Sequence, residues 1–203
     1  MKYVTALLLL SSLVAAAFSQ SVSVSDLQAR AKAQKIKVII SYDKFKDSSL
    51  ISTGLQNLLG GKDIMLAALS ENRTLGTGPS HFPTVLFLQV GFSWKGDKLV
   101  ETPNTFTVLF TSNSSGWVFL KGDSNLYVLY DDHRLELHPL GQDSDIRWSG
   151  VSETLGFEIS RDDLEKIVAA KKVEMKLGDT LPRKWKDDWS KGIRQLLDIT
   201  KIS

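Results

Sequence analysis

Apolar residues recur at every second position through much of this chain, and that period constrains its fold more than any other feature. Ile36, Val38, Ile40 and Tyr42 point one way while Lys35, Lys37 and Ser41 face the other. Extended backbone sends successive side chains to opposite faces, so this is the pattern of a half-buried strand. Thr84–Trp94 places Leu86, Leu88, Val90, Phe92 and Trp94 on one face, and Val85 and Phe87 make its first half apolar on both, as in a central strand. Further strands are predicted at Ile64–Leu69, Phe106–Thr111, Trp117–Leu120, Leu126–Tyr130, His133–Leu137 and Thr154–Ile159.

Only Asp131-Asp132 separates Leu126–Tyr130 from His133–Leu137, which predicts a tight antiparallel hairpin with positive φ at both aspartates. Pairing puts Leu126, Val128, Tyr130, His133, Leu135 and Leu137 on one face, the candidate core face. Beyond this the period turns helical. Ser160 and Asp163 approximate a capping box for a helix whose Leu164, Ile167, Val168 and Lys171 share a face. Lys172–Leu177 reads as a strand stopped at Gly178, and a final helix is predicted from Pro182, with Trp185, Trp189, Ile193, Leu196 and Leu197 as its apolar stripe. Near the N-terminus, Asp26–Gln34 reads as a short helix capped by Ser25 and docked weakly through Leu27. Many strands followed by helix, strand and helix describe an α+β fold, a mostly antiparallel β-sheet or sandwich.

Residues 1–19 have the layout of a cleavable export signal: Lys2, an apolar run through Leu10 and Leu13, and small residues at Ala17 and Ser19. The run is shorter than the ~20 residues that span a bilayer. Cleavage before Gln20 is therefore expected to leave no transmembrane anchor. Residues 20–35 then form a short N-terminal segment and 36–203 a single globular domain. The chain has no cysteine, so neither disulfides nor thiolate metal sites are available and folding rests on burial, for which about 180 residues suffice. Lys and Arg number 25 against 23 Asp and Glu, and they are interspersed. No basic stripe marks a nucleic-acid partner. Export without cysteine suits a periplasmic or secreted bacterial protein; the sequons at Asn72 and Asn113 would matter only in a eukaryotic secretory pathway and read as chance.

The segment Tyr42-Asp43-Lys44-Phe45-Lys46-Asp47, followed by Ile51-Ser52-Thr53, resembles the opening of a family of uncharacterised exported bacterial proteins. Gly116-Trp117-Val118-Phe119, the turn at Asp131-Asp132-His133-Arg134 and the helix from Ser160 through Val173 and Gly178 are similar to the rest of that pattern. The resemblance spans roughly Ile36 to Leu197 and carries no activity, cofactor or catalytic residue with it.

Chemistry is sparse. The three histidines are His81, beside a strand entrance, and His133 and His138, whose odd separation sends them to opposite faces of a strand. No nucleophile-elbow, phosphate-loop, zinc-protease or EF-hand pattern occurs, and neither a metal site nor a cofactor is expected. Asp131, Asp132 and His133 have the right groups for a metal or acid/base site, or form a polar turn. Asp43, Lys44, Lys46 and Asp47 surround Phe45 either as a recognition surface or as a solvated strand end with Phe45 tucked into the core. Trp94 and Trp117 are read as packing residues, with sugar stacking as the alternative. The basic start Arg183-Lys184-Trp185-Lys186 would suit a surface helix, although the Trp185 stripe favours internal docking. The function expected is a non-enzymatic extracytoplasmic binding or adaptor domain with an envelope or extracellular partner. The alternative is a hydrolase whose Asp43, Asp47, Asp131 and Asp132 meet only in three dimensions.

Overall fold

The computed structural model describes residues 21–54, 56–57, 85–114, 124–147, 150–178 and 183–202. Along the chain run β1 (Val22–Ser23), α1 (Val24–Ala33), β2 (Val38–Asp43), β3 (Ser48–Thr53), β4 (Gln56–Asn57), β5 (Val85–Lys95), β6 (Lys98–Leu99) and β7 (Thr105–Ser114). They are followed by β8 (Leu126–Tyr130), β9 (His133–Leu137), β10 (Pro139–Arg147), β11 (Gly150–Ser160), α2 (Arg161–Ala169), β12 (Val173–Leu177), β13 (Arg183–Lys184) and α3 (Asp187–Ile199). The fold is α+β, with antiparallel sheets and a C-terminal helix-strand-helix arrangement. The strands expected at Ile64–Leu69 and Trp117–Leu120 lie outside the described residues.

The large sheet is ordered β10-β11-β7-β5-β3-β2, with β4 paired to β5; the smaller is β13-β12-β8-β9, and β1 pairs with β6. Cross-strand rows Phe106–Ile159, Val108–Phe157 and Phe110–Leu155 line the inner face of the large sheet. Together with Leu126, Val128, Leu137, Met175 and Leu177 of the small sheet and the buried faces of the helices, they form one hydrophobic cluster. Its close packing requires glycine at 91, where a Cβ would strike the Ile51 carbonyl and the Ser52 side chain of β3.

Helix α1 is capped by Ser23, whose hydroxyl accepts from Asp26 N at 3.1 Å and donates to its carboxylate at 2.6 Å. The expected cap was Ser25. Pairing of Val22 with Leu99 and Ser23 with Lys98 holds Ser23 extended just before the helix and settles the choice. Leu27 is fully buried, flanked by Val24 and Ala31, so docking is firmer than one large residue suggested. Gln28 Nε2 also donates to the Ile40 carbonyl at 3.0 Å, closing part of the β2 edge.

Ser160 caps α2 as expected, accepting from Asp163 N at 3.0 Å, and Leu164, Ile167 and Val168 are buried. The last helix begins at Asp187 and not at Pro182, because Arg183 and Lys184 pair with Met175 and Glu174 as β13 and commit that backbone to the sheet. Two of the four residues of the basic run thus lie on a strand and none within the helix. Trp189, Ile193, Leu196, Leu197 and Ile199 are buried, so the stripe packs inward. The two helices satisfy each other's terminal carbonyls: Arg161 of α2 donates to Leu197 O and Arg194 of α3 to Val168 O.

Candidate functional site

The hairpin expected at Asp131-Asp132 exists, and the Asp43–Asp47 segment, read as a recognition surface or a strand end, forms a second hairpin turn of a different kind. In the β8–β9 turn Tyr130 pairs with His133, Val128 with Leu135 and Leu126 with Leu137, the expected register. Positive φ occurs at Asp131 alone, at 48°, and not at Asp132. The Asp131 carboxylate faces its own fold, accepting from Lys171 N and Lys172 N at 3.1 Å each, while Asp131 N donates to Lys172 O at 2.9 Å. It fastens the α2–β12 connection to the hairpin. Asp132 and His133 are exposed, and the His133 ring stacks on Tyr130 at 5.4 Å. Among the described residues no three His, Asp or Glu side chains gather as a metal-holding group. Asp131 thus acts as a structural clasp.

The β2–β3 turn is built to present a side chain. Asp43 ends β2, and its Oδ1 accepts from Phe45 N at 2.9 Å and Lys46 N at 3.3 Å, an Asx-type closure that fixes the tip. Tyr42 Oη donates to Asp47 Oδ1 at 2.9 Å across the base of the turn. Asp47 takes a left-handed φ of 47°, which Asp tolerates better than most residues. The adjacent β5–β6 turn buttresses it: Gly96 N donates to Asp47 O at 2.9 Å, Ser49 Oγ donates to Gly96 O at 2.6 Å, and Val24 N donates to Asp97 O at 2.8 Å. The hydrogen bond from the Tyr42 phenol to the Asp47 carboxylate holds its pKa above the usual 10.0, with smaller contributions from desolvation and from Asp47, Asp97 and Asp43.

On this frame Phe45 is 90 % exposed, the most exposed of the large hydrophobic residues described. The reading in which it tucks into the core is overturned. Lys44 Nζ lies 5.2 Å from its ring centroid, and Lys44 and Lys46 are both exposed. An exposed cation–π contact contributes roughly 0.5–1 kcal/mol, whereas burial of a Phe side chain is worth about 1.5–3 kcal/mol. The aromatic therefore gives the fold less where it stands than it would give buried against a partner.

Asp43 and Asp47 close a turn of the large sheet and Asp131 and Asp132 a turn of the small one, and Asp43, Asp47 and Asp131 are each engaged within their own surroundings. Trp94 is a packing residue, stacked on Phe92 at 5.1 Å with its indole N–H buried and without a hydrogen-bond partner among the described residues; Trp117 lies outside them.

One buried group was not anticipated. Glu153 is 1 % exposed on the inner face of β11, the only carboxylate among the buried residues described. It is engaged by an interaction of its own. Opposite it on β7 stands Ser112, also 1 % exposed, whose hydroxyl has no hydrogen-bond partner among the described residues. The signal in the sequence is a glutamate in the apolar phase of Val151, Leu155 and Phe157. Among the described residues no helix is long and apolar enough to cross a membrane. Comparison with protein-family models, with curated proteins and with solved structures gives no match.

Proposed function

We propose that this is an exported, non-enzymatic binding domain whose recognition element is the β2–β3 tip, Asp43 to Asp47. The observation that carries the reading is Phe45, 90 % exposed on a turn pinned by Asp43, Tyr42 and the Gly96 bond. A stiff turn loses little conformational freedom on binding, so an aromatic presented on it favours association. Export rests on the signal-like residues 1–19 and accords with a fold that uses no cysteine. The bacterial family resemblance points the same way and includes this motif.

The test compares envelope retention of mature wild-type protein and Phe45→Ala in the native host. The variant should unfold within about 0.5 kcal/mol of wild type, as expected for an exposed position, and be released from the envelope fraction. Unchanged retention, or a large loss of stability, would make Phe45 a structural residue and remove the tip from function.

A further inference from the structure

The chemistry around Phe45 narrows the partner. The acidic groups of the motif are engaged within the turn itself: Asp43 Oδ1 accepts from two backbone N–H groups, and Oδ1 of the exposed Asp47 accepts from the Tyr42 hydroxyl. Exposed at the tip and outside these bonds are the Phe45 ring and the side chains of Lys44 and Lys46. Lys95 and Lys98 are exposed at either end of the β5–β6 turn that supports the tip, against Asp97 between them. An aromatic side chain set among lysines matches a surface that is apolar just below a layer of negative charge.

Resting on the binding-tip reading, we infer that the β2–β3 tip docks reversibly on an anionic lipid surface. Phe45 enters the boundary between headgroups and acyl chains, and Lys44 and Lys46 lie at the level of the lipid phosphates. Size favours a lipid over a protein partner. A stable protein complex buries about 800 Å² on each side, more than one tight turn offers, whereas a projecting tip needs only a yielding, continuous surface. Attraction of lysines to an anionic leaflet supplies orientation as well as binding. One aromatic residue with a few lysines gives weak, salt-sensitive attachment in place of permanent anchoring.

The experiment is co-sedimentation of the mature protein with vesicles of phosphatidylcholine alone and of phosphatidylcholine mixed with phosphatidylglycerol. Wild type should pellet with the mixed vesicles only and be released as added salt shortens the screening length from ~10 Å toward ~3 Å. Lys44→Gln/Lys46→Gln should weaken binding by about 25-fold, taking roughly fivefold per surface lysine, and Phe45→Ala should reduce it at least as clearly, with thermal unfolding of both variants like wild type. Equal binding to the two compositions, no binding by wild type, or full binding by the variants would overturn the inference. If wild type ignores anionic vesicles while Phe45→Ala still loses envelope retention, the lipid assignment falls and the binding tip stands. If retention is also unchanged, both fall.

Discussion

Trp189→Ala tests whether α3 is an integral layer of the fold. Trp189 is 3 % exposed, and its ring meets Trp185 nearly edge-on at 5.5 Å and 78°. Lys186 Nζ stands 5.5 Å from its centroid, and Trp185 Nε1 is held by Ser190 Oγ at 3.0 Å. The helix packs against α2, β2 and β3, which are tied into other contacts and cannot collapse freely into the space left by an indole. Truncation should therefore cost the transfer energy of the ring plus a cavity term, about 3–5 kcal/mol, of which the aromatic contact accounts for roughly 0.5–1.5 kcal/mol. Domains have about 5–15 kcal/mol in total, so the variant should fold but with a depleted margin. With an m-value of about 2–3 kcal/mol/M, the urea midpoint should fall by roughly 1–2.5 M. Far-UV circular dichroism is the suitable probe, because removing one of five tryptophans changes the fluorescence itself. A loss below about 1 kcal/mol with an unchanged m-value would show that α3 is not docked as described.

Ser112→Ala should stabilise the domain by about 1 kcal/mol, raising Tm by roughly 2–4 °C, because an unpaired buried hydroxyl is a net cost; a fall in Tm would reveal a bond to that hydroxyl. Asp131→Ala should cost about 0.5–1.5 kcal/mol in denaturant melts by removing its bonds from the exposed Lys171 and Lys172 amides, which water then solvates. Asp132→Gly, at a position without positive φ, should lose up to ~1 kcal/mol to unfolded-state entropy; denaturant melts in which it gained stability would contradict that backbone. The raised Tyr42 pKa means that its bond to Asp47 contributes stability below pH 10.0, lost as pH rises through the higher folded value. In spectrophotometric titration Asp47→Asn should move one phenol back toward 10.0, and an unmoved phenol would remove the Tyr42–Asp47 bond.

The strands that alternation made visible are those with one face in the core. In β11, Val151, Glu153, Leu155, Phe157 and Ile159 are all buried on one phase; the expected strand began only at Thr154 because the glutamate interrupts the apolar series. Strand β10 was invisible for a different reason. It is an edge, paired only with β11 among the described strands, and Leu140 to Ile146 are exposed on both faces, so no face selects apolar residues. Asp143 and Asp145, the bulge between Pro139 and Gly141, and Pro139 itself instead make it a poor template for another strand. The two helix starts were misplaced by pairings outside their local sequence: β1 with β6 at Ser23, and β13 with β12 ahead of α3.

The candidate site was legible in its charges and illegible in its aromatic residue. Asp43, Lys44, Lys46 and Asp47 announce a solvated, charged segment, yet burial statistics send a phenylalanine inward. Period-two reasoning cannot place Phe45, because turn residues have left the pleat and no longer alternate between faces. The interior at this end is filled from elsewhere in the chain. Trp94 lies opposite Ser49 and stacks on Phe92, which meets Phe106 edge-on at 5.5 Å. Those rings come from β5 and β7, far from the motif in sequence, so the occupant of the interior is decided by tertiary pairing. What the local sequence does contain is the hardware that keeps Phe45 outside: an aspartate before the turn to accept its amide, and a second aspartate after it to take left-handed φ and the Tyr42 bond.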